Sequence, residues 1–281
     1  MTETLSLGFS PCPNDTFIFH ALVHGLVPLR GFSLAPPHLE DVETLNTWAL
    51  EGRLDVTKLS FHALGHVLDR YVMLSAGAAL GRGCGPLLVS RAERGVDPAK
   101  AVIAIPGAYT TAAMLLRLYE PRVADLRIMR FEEIMPAVAA GRVDAGVIIH
   151  ESRFTYRDHG LALLRDLGEW WEGMTGLPIP LGCISMRRSF SADLIEAVDE
   201  AIRASLRYAR AHPEECDDYI RGHAQEMDAD VLRSHIRLYV NDFSIDTGEE
   251  GRAAVEELLR RGRKAGLFPD TAVEPFIGRS Q

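Results

Sequence analysis

Short apolar runs alternate with amphipathic stretches along the first 61 residues. The runs at residues 5–9, 32–34 and 55–61 predict strands, because each of them is short and apolar. Apolar residues at helical spacing between these runs predict two helices, which end at Gly25 and Gly52. The order strand, helix, strand, helix, strand predicts a parallel sheet with helices on its faces.

The same order of elements returns in the middle of the chain. Strands are predicted at residues 102–105, 126–129 and 143–149, with a helix in each gap. Gly52 and Gly141 stand at matching places in the two sets, and each is followed by Arg, an apolar residue and Asp. The sequence therefore predicts two similar α/β units.

The last third of the chain has a different pattern. Apolar residues at helical spacing predict helices around residues 194–209, 231–239 and 255–259. The strand–helix alternation does not return after residue 185. We therefore expect a helical C-terminal segment that adds no further parallel sheet.

Together these patterns predict a two-lobed α/β fold with a central cleft. We expect lobe 1 to comprise residues 1–88 and 185–281, and lobe 2 to comprise residues 89–184. The chain would then cross between the lobes twice, near residues 87–89 and 183–185. Two crossings favour a hinged pair of lobes, with a small ligand bound in the cleft between them.

Composition and charge narrow the function classes. With 281 residues, 47% hydrophobic and 25% charged, the chain matches an ordinary soluble protein of about two domains. The net charge is −9, and no basic cluster is larger than the one at residues 260–264. This charge balance argues against nucleic acid as a partner and favours a small-molecule ligand.

The cysteines and the start of the sequence indicate a compartment. Cys12, Cys84, Cys183 and Cys216 are far apart and form no metal or redox motif. The first residues include Glu3 and no basic group, so they do not resemble a signal peptide. No apolar run reaches the ~20 residues of a membrane span. We expect a cytoplasmic protein without a membrane partner.

Polar turns follow the predicted strands of both units. In open parallel sheets, ligands bind beyond the carboxyl ends of the strands. Two of these turns precede helices, whose first N–H groups and positive dipole end can hold a carboxylate. For the two threonines before the second such helix, simple helix capping is the alternative. The candidate ligand contacts in these turns are Ser10, Asn14, Asp15, Lys58, Leu59, Ser60, Tyr109, Thr110 and Thr111.

Lys58 and His150 are the candidates with the clearest chemistry. Lys58 could balance an anionic ligand, although a solvated lysine at a strand end is the more common situation. His150 follows an apolar strand and should reach the cleft, where a neutral imidazole can accept a proton. Glu151 should point to the opposite face if the strand continues.

Two histidine pairs raise the possibility of a metal site. His20 and His24, and likewise His62 and His66, stand four residues apart, a spacing that can place two imidazoles on one metal. Neither pair has an acidic residue in the pattern of zinc proteases or an obvious third ligand. We therefore expect no metal.

Five segments resemble the 1,4-dihydroxy-6-naphthoate synthase family. The first, residues 10–22, reads Ser-Pro-Cys-Pro-Asn-Asp-Thr-Phe-Ile-Phe-His-Ala-Leu and is similar to the opening signature of that family. The later blocks are similar to residues 55–62, 106–112, 147–151 and 176–182. The likeness extends from the first strand to about residue 190.

The resemblance implies both a fold and a reaction. The fold would be that of type II periplasmic binding proteins, used in the cytoplasm as an enzyme without a cofactor. The reaction would convert cyclic dehypoxanthine futalosine into 1,4-dihydroxy-6-naphthoate for menaquinone, with release of a small sugar-derived fragment. By the same resemblance His150 would be the catalytic base. The substrate-contact blocks of the family match Lys58, Leu59, Ser60, Thr110 and Thr111.

Two alternative functions stay open. Chorismate dehydratase is a sister family with the same fold and pathway, and activity on chorismate would distinguish it. A non-catalytic module that binds a small carboxylate would form a stable complex without turnover. The sequence leaves open whether the chain is a monomer or a homodimer.

Overall fold

The computed structural model describes residues 3–91, 95–224 and 228–277. The strands of these residues are β1 Glu3–Leu5, β2 Leu7–Phe9, β3 Phe32–Leu34, β4 His38–Leu39, β5 Val56–Ser60, β6 Tyr71–Met73, β7 Ala79–Gly81, β8 Leu87–Arg91, β9 Val102–Ile105, β10 Asp125–Ile128, β11 Ala145–Ile148, β12 Leu161–Asp166 and β13 Ile179–Arg187. The α-helices are α1 Pro13–Val23, α2 Val42–Glu51, α3 Phe61–Val67, α4 Thr111–Tyr119, α5 Phe131–Ala139, α6 Ser152–Thr155, α7 Leu167–Thr175, α8 Ala192–Ala211, α9 Asp217–His223, α10 Ala229–Tyr239, α11 Asp242–Ile245 and α12 Gly248–Lys264.

Two mixed sheets form the centre of the molecule. The first has the strand order β4-β2-β5-β13-β6, and β7 also pairs with β13. The second has the order β10-β9-β11-β8-β12. In each sheet three neighbouring strands are parallel and come from consecutive strand–helix units. The predicted similarity of the two halves is therefore present in the topology.

The predicted parallel pairing is present, and each sheet contains in addition one antiparallel strand. Strand β13 is antiparallel to β5 and β6, and β8 is antiparallel to β11 and β12. These are the strands by which the chain enters a sheet after leaving the other one. The chain rejoins the first sheet at Ile179, before the crossing expected near residues 183–185. Whether the two sheets move as separate lobes stays a prediction.

The predicted strand at residues 5–9 is two strands in the structure. Ser6 interrupts it, because its N–H and hydroxyl donate to the Asp55 carboxylate at 2.9 and 2.7 Å. Strand β1 then pairs with β3 in a small separate sheet, and β2 joins the first large sheet. The local hydrogen bonds of one serine thus divide an apolar run between two sheets.

Helix ends follow the capping signals of the sequence. The Asp41 carboxylate accepts from the N–H groups of Glu43 and Thr44, and Gly52 ends α2 in the left-handed conformation. Thr110 caps α4 by accepting from the Ala113 N–H at 3.2 Å. These caps fix the orientation of the helices that begin at the cleft.

The predicted C-terminal helices pack against the first sheet's helices. Ser205 of α8 donates to the Ile18 carbonyl at 2.7 Å and accepts from the Leu22 N–H at 3.0 Å. Both partners belong to α1, so α8 holds the helix whose first turn faces the cleft.

Among the described residues, no helix combines the length and the apolar composition of a membrane span.

Candidate functional site

A narrow cleft with a cavity volume of about 80 Å³, partly open to solvent, lies where the carboxyl ends of β2, β5, β9 and β11 meet. Eight of the ten predicted site residues line it; the Leu59 side chain lies in the core, and Tyr109 packs on His66. The described lining residues are Ser10, Asn14, Asp15, Val42, Lys58, Ser60, Ala79, Cys84, Pro86, Thr110, Thr111, Ala112, Ile149, His150, Leu181, Gly182 and Tyr239.

A buried ion pair forms one wall of the cleft. Lys58 Nζ lies 2.6 Å from Asp15 Oδ1, and both side chains are buried. The same carboxylate accepts from the Ser10 hydroxyl at 2.7 Å, from the Ser10 N–H at 3.2 Å and from Asn14 Nδ2 at 2.7 Å. Lys58 is therefore not a solvated lysine, and its charge is already balanced by Asp15.

The two threonines at the start of α4 have different roles. The Thr110 hydroxyl caps the helix and also donates to the Gly107 carbonyl at 2.9 Å. The Thr111 hydroxyl donates to the Leu181 carbonyl at 2.6 Å and accepts from the Phe61 N–H at 2.8 Å. Thr111 thus connects α4 to elements of the first sheet. The first N–H groups of α4 are the donors that this end offers to a carboxylate.

We expect Thr111→Val to weaken substrate binding by about 1–3 kcal/mol, because the bonds that position the start of α4 are lost. The measurement is the dissociation constant together with KM. Thr47→Val is the matched control, since Thr47 is an exposed threonine whose hydroxyl donates to a carbonyl of its own helix. Equal constants for Thr111→Val and the wild type would contradict the role of Thr111.

His150 lies in the turn after β11 with a left-handed backbone, φ 56°. It is the one non-glycine residue with positive φ among the residues described. Its Nε2 lies 3.8 Å from Cys12 Sγ, and the edge of Phe131 meets its ring at 5.1 Å between centroids. The turn thereby aims the imidazole into the cleft.

Burial lowers the pKa of His150 to about 4, a shift that Asp15 opposes and Lys58 supports. The imidazole is therefore neutral at pH 7 and can accept a proton, and its role as the base stays a prediction. The ordinary pKa near 6.5 assumed from the sequence is not the value in the folded protein.

Glu151 does not follow the strand alternation expected for it. Strand β11 ends at Ile148, so residues 150 and 151 lie in a turn and the two-residue period no longer applies. The Glu151 side chain is buried, and its Oε1 lies 3.9 Å from His235 Nδ1.

Glu43 lies beside the cleft lining, and sequence reasoning missed its contact with the turn before α4. Its carboxylate accepts from the Tyr109 N–H, with oxygens at 3.0 and 3.2 Å, and from Asn46 Nδ2 at 3.1 Å. It packs so closely on Gly107 that a Cβ there would lie 2.3 Å from Glu43 Cδ. Helix α2 of the first sheet is thus connected to the turn before α4. In the sequence, Glu43 looks like an ordinary acid in a first helical turn.

His235 is the second missed residue. It lies on α10, fully buried, with Nε2 2.9 Å from Asn14 Oδ1 and its ring stacked 6.0 Å from that of His150. The apolar stripe of a C-terminal helix gave no sign that this helix reaches the cleft.

The two histidine pairs pack without further ligands near them. The rings of His20 and His24 lie 4.5 Å apart, and those of His62 and His66 lie 5.4 Å apart. Within the described part of the chain, no group of three or more histidine, cysteine or acidic side chains could hold a metal ion. The expectation of a metal-free protein stays a prediction.

Known proteins resemble this chain over most of its length. A family model described as menaquinone biosynthesis matches residues 5–264. A Thermus thermophilus 1,4-dihydroxy-6-naphthoate synthase is 54% identical, over 98% of this chain and 100% of that protein. A Streptomyces coelicolor 1,4-dihydroxy-6-naphthoate synthase is 47% identical over 95% of each chain.

The comparison of structures concerns the fold. The periplasmic aliphatic sulphonate binding protein of Escherichia coli superposes with a TM-score of 0.65 at 11% identity, over 98% of this chain and 91% of that chain. The predicted periplasmic-binding-protein-like fold is therefore confirmed. The family model matches most of the chain, and two relatives are about half identical to it. The chain therefore belongs to the menaquinone biosynthesis family.

Proposed function

We propose that the chain is the lyase that converts cyclic dehypoxanthine futalosine into 1,4-dihydroxy-6-naphthoate. The observation that carries this proposal is the identity of 54% and 47% to two synthases of that name, over nearly the whole of each protein. The cleft supports it, because eight of the ten site residues predicted from the sequence line one site.

The lining of the cleft suits an aromatic carboxylate. Val42, Ile149 and Leu181 supply apolar surface for the rings. The start of α4 supplies N–H groups and the positive end of a helix dipole for the carboxylate. Since Asp15 already balances Lys58, the helix end is the better candidate for the charged group of the substrate.

His150 is the proposed general base. Its neutral imidazole would take a proton next to a carbonyl or hydroxyl of the sugar portion of the substrate. Cleavage of a carbon–carbon bond and elimination of the sugar-derived fragment would follow, and aromatisation of the naphthalene ring would drive the reaction. Closure of the cleft would keep water from the reactive intermediate.

Ligand binding is expected to compact the protein, because the site takes groups from both sheets. The measurement is small-angle X-ray scattering with and without saturating substrate or product. A smaller radius of gyration with ligand is expected. Glu43→Ala is expected to reduce the change, since Glu43 connects α2 to the Tyr109 N–H. Identical profiles for the wild type with and without ligand would contradict closure.

The partner and location are proposed on the same basis. We propose a small anionic molecule as the substrate, and neither nucleic acid nor membrane as a partner. A cytoplasmic location, a cofactor-free reaction and a monomeric or homodimeric state are predictions that composition and the family blocks support.

The deciding experiment is to incubate the purified protein with cyclic dehypoxanthine futalosine and detect 1,4-dihydroxy-6-naphthoate by mass. His150→Asn, run in parallel, controls for contaminating activity. Turnover of chorismate instead would assign the protein to the alternative dehydratase. A stable complex without turnover of either compound would indicate a binding module.

A further inference from the structure

His235 joins the C-terminal helical segment to the polar wall of the cleft. It is fully buried on α10, more than 200 residues from its partner Asn14 in the chain. Asn14 donates in turn to Asp15, which holds Lys58. A line of hydrogen bonds thus leads from an imidazole behind the cleft to the ion pair that lines it.

The chemistry of Asn14 fixes the proton on His235. The Asn14 amide nitrogen donates to the Asp15 carboxylate, so the amide oxygen must be the atom that faces His235. A carbonyl oxygen only accepts, and His235 Nε2 must therefore carry the hydrogen. Burial lowers the pKa of His235 well below its ordinary value, so the ring is neutral and Nδ1 carries no hydrogen. No hydrogen bond from a described residue reaches Nδ1, and the Glu151 Oε1 lies 3.9 Å from it.

His235 also supports the imidazole proposed as the base. The His150 and His235 rings are nearly parallel, 25° between planes and 6.0 Å between centroids. His150 has the left-handed backbone, a strained conformation that persists only where surrounding contacts hold the residue in place. Phe131 supplies an edge contact and His235 supplies a stacked face.

We propose that His235 is a positioning residue for the reaction, whose Nε2–H holds the Asn14 amide in the orientation that the Asp15–Lys58 pair requires. It acts through Asn14 and, by stacking, on His150, without touching the substrate. This role rests on the proposed function of the cleft. Without the Nε2–H donor, the buried Asn14 oxygen has lost its hydrogen bond, and the amide is no longer held in place to donate to the Asp15 carboxylate of the pair.

Two amide substitutions test this role, because each mimics a different ring nitrogen. The glutamine amide in His235→Gln reaches the position of Nε2, whereas the asparagine amide in His235→Asn reaches only that of Nδ1. We expect kcat/KM within about threefold of wild type for the first, and about tenfold to a hundredfold lower for the second. Combining His235→Asn with Asn14→Ala should cost no more than Asn14→Ala alone.

His20→Asn is the matched control. His20 is also buried, lies against a second histidine ring and has an Nδ1 without a hydrogen-bond partner among the described residues, yet it lies outside the cleft lining. Its substitution should leave kcat/KM within about threefold of wild type. Equal activity of His235→Asn and the wild type, or equal losses in His235→Gln and His235→Asn, would overturn the proposal.

A measurement without substrate separates this proposal from the proposed function. Nitrogen NMR of the histidine side chains in the ligand-free protein should show His235 with the hydrogen on Nε2. A hydrogen on Nδ1 alone overturns the positioning role, whether or not the protein turns over. Absence of turnover by the wild type with the hydrogen on Nε2 contradicts the proposed reaction and leaves the positioning of Asn14 supported.

Discussion

Replacing His150 by asparagine is expected to lower kcat by about 10²–10⁴-fold while the substrate still binds. The loss follows from removal of the imidazole, the proposed proton acceptor in the cleft. Asparagine is chosen because it adopts the left-handed backbone of this position more readily than alanine does. The measurements are kcat, KM and the melting temperature, so that loss of chemistry is separated from loss of folding.

His150→Gly is a second variant that the backbone accepts, and it should lose kcat to the same extent. His20→Asn and His62→Asn are the comparisons, since both residues are buried histidines outside the cleft lining. Near-wild-type kcat in His150→Asn would place the base elsewhere and would remove the proposed mechanism.

The pH dependence of the reaction should reflect the burial of His150. Because its pKa is lowered to about 4, the imidazole is an acceptor above that pH and is lost as one below it. The acidic limb of kcat/KM is therefore expected near pH 4, with no fall attributable to His150 between pH 7 and 5. An acidic limb of kcat/KM near pH 6.5 would instead show that the His150 imidazole is exposed to water in the free enzyme.

The second large effect is expected at the buried ion pair. Lys58→Met should reduce the free energy of unfolding by about 3–5 kcal/mol, because it leaves the Asp15 carboxylate buried without its cation. Chemical denaturation followed by circular dichroism measures this loss. The double variant Asp15→Asn, Lys58→Met should recover most of it, since no unpaired charge then remains in the core.

The control is an ion pair on the surface. Arg233 and Asp230 lie 2.6 Å apart with both side chains exposed, and Arg233→Met should change the free energy of unfolding by less than about 1 kcal/mol. If Lys58→Met and Arg233→Met had the same free energy of unfolding, the Lys58–Asp15 pair would be exposed to water rather than buried.

The position of the cleft could be predicted from the sequence, because simple rules determine it. Ser10 and Lys58 lie at the carboxyl ends of parallel strands of the first sheet, and Thr110 and His150 follow parallel strands of the second sheet. Within each sheet these ends lie together because the strands are parallel. Capping residues such as Asp41 likewise act over a few residues, and their effect can be read locally.

Long-range contacts could not be read in this way. Glu43 and His235 reach the site from a helix start and from the C-terminal segment, and nothing in their neighbouring residues specifies the distant partner. The antiparallel direction of β8 and β13 could not be predicted for a related reason. Hydrophobic periodicity shows that a strand is buried, but it carries no information about the direction of its neighbours.

The place of β13 in the first sheet has a consequence for synthesis of the protein. All five strands of the second sheet lie between Leu87 and Asp166, so they leave the ribosome as one contiguous stretch. The first sheet stays without its fourth strand until residue 187 has been made, and its β5 edge is open until then. The middle of the chain can therefore complete its sheet during translation before the beginning of the chain can.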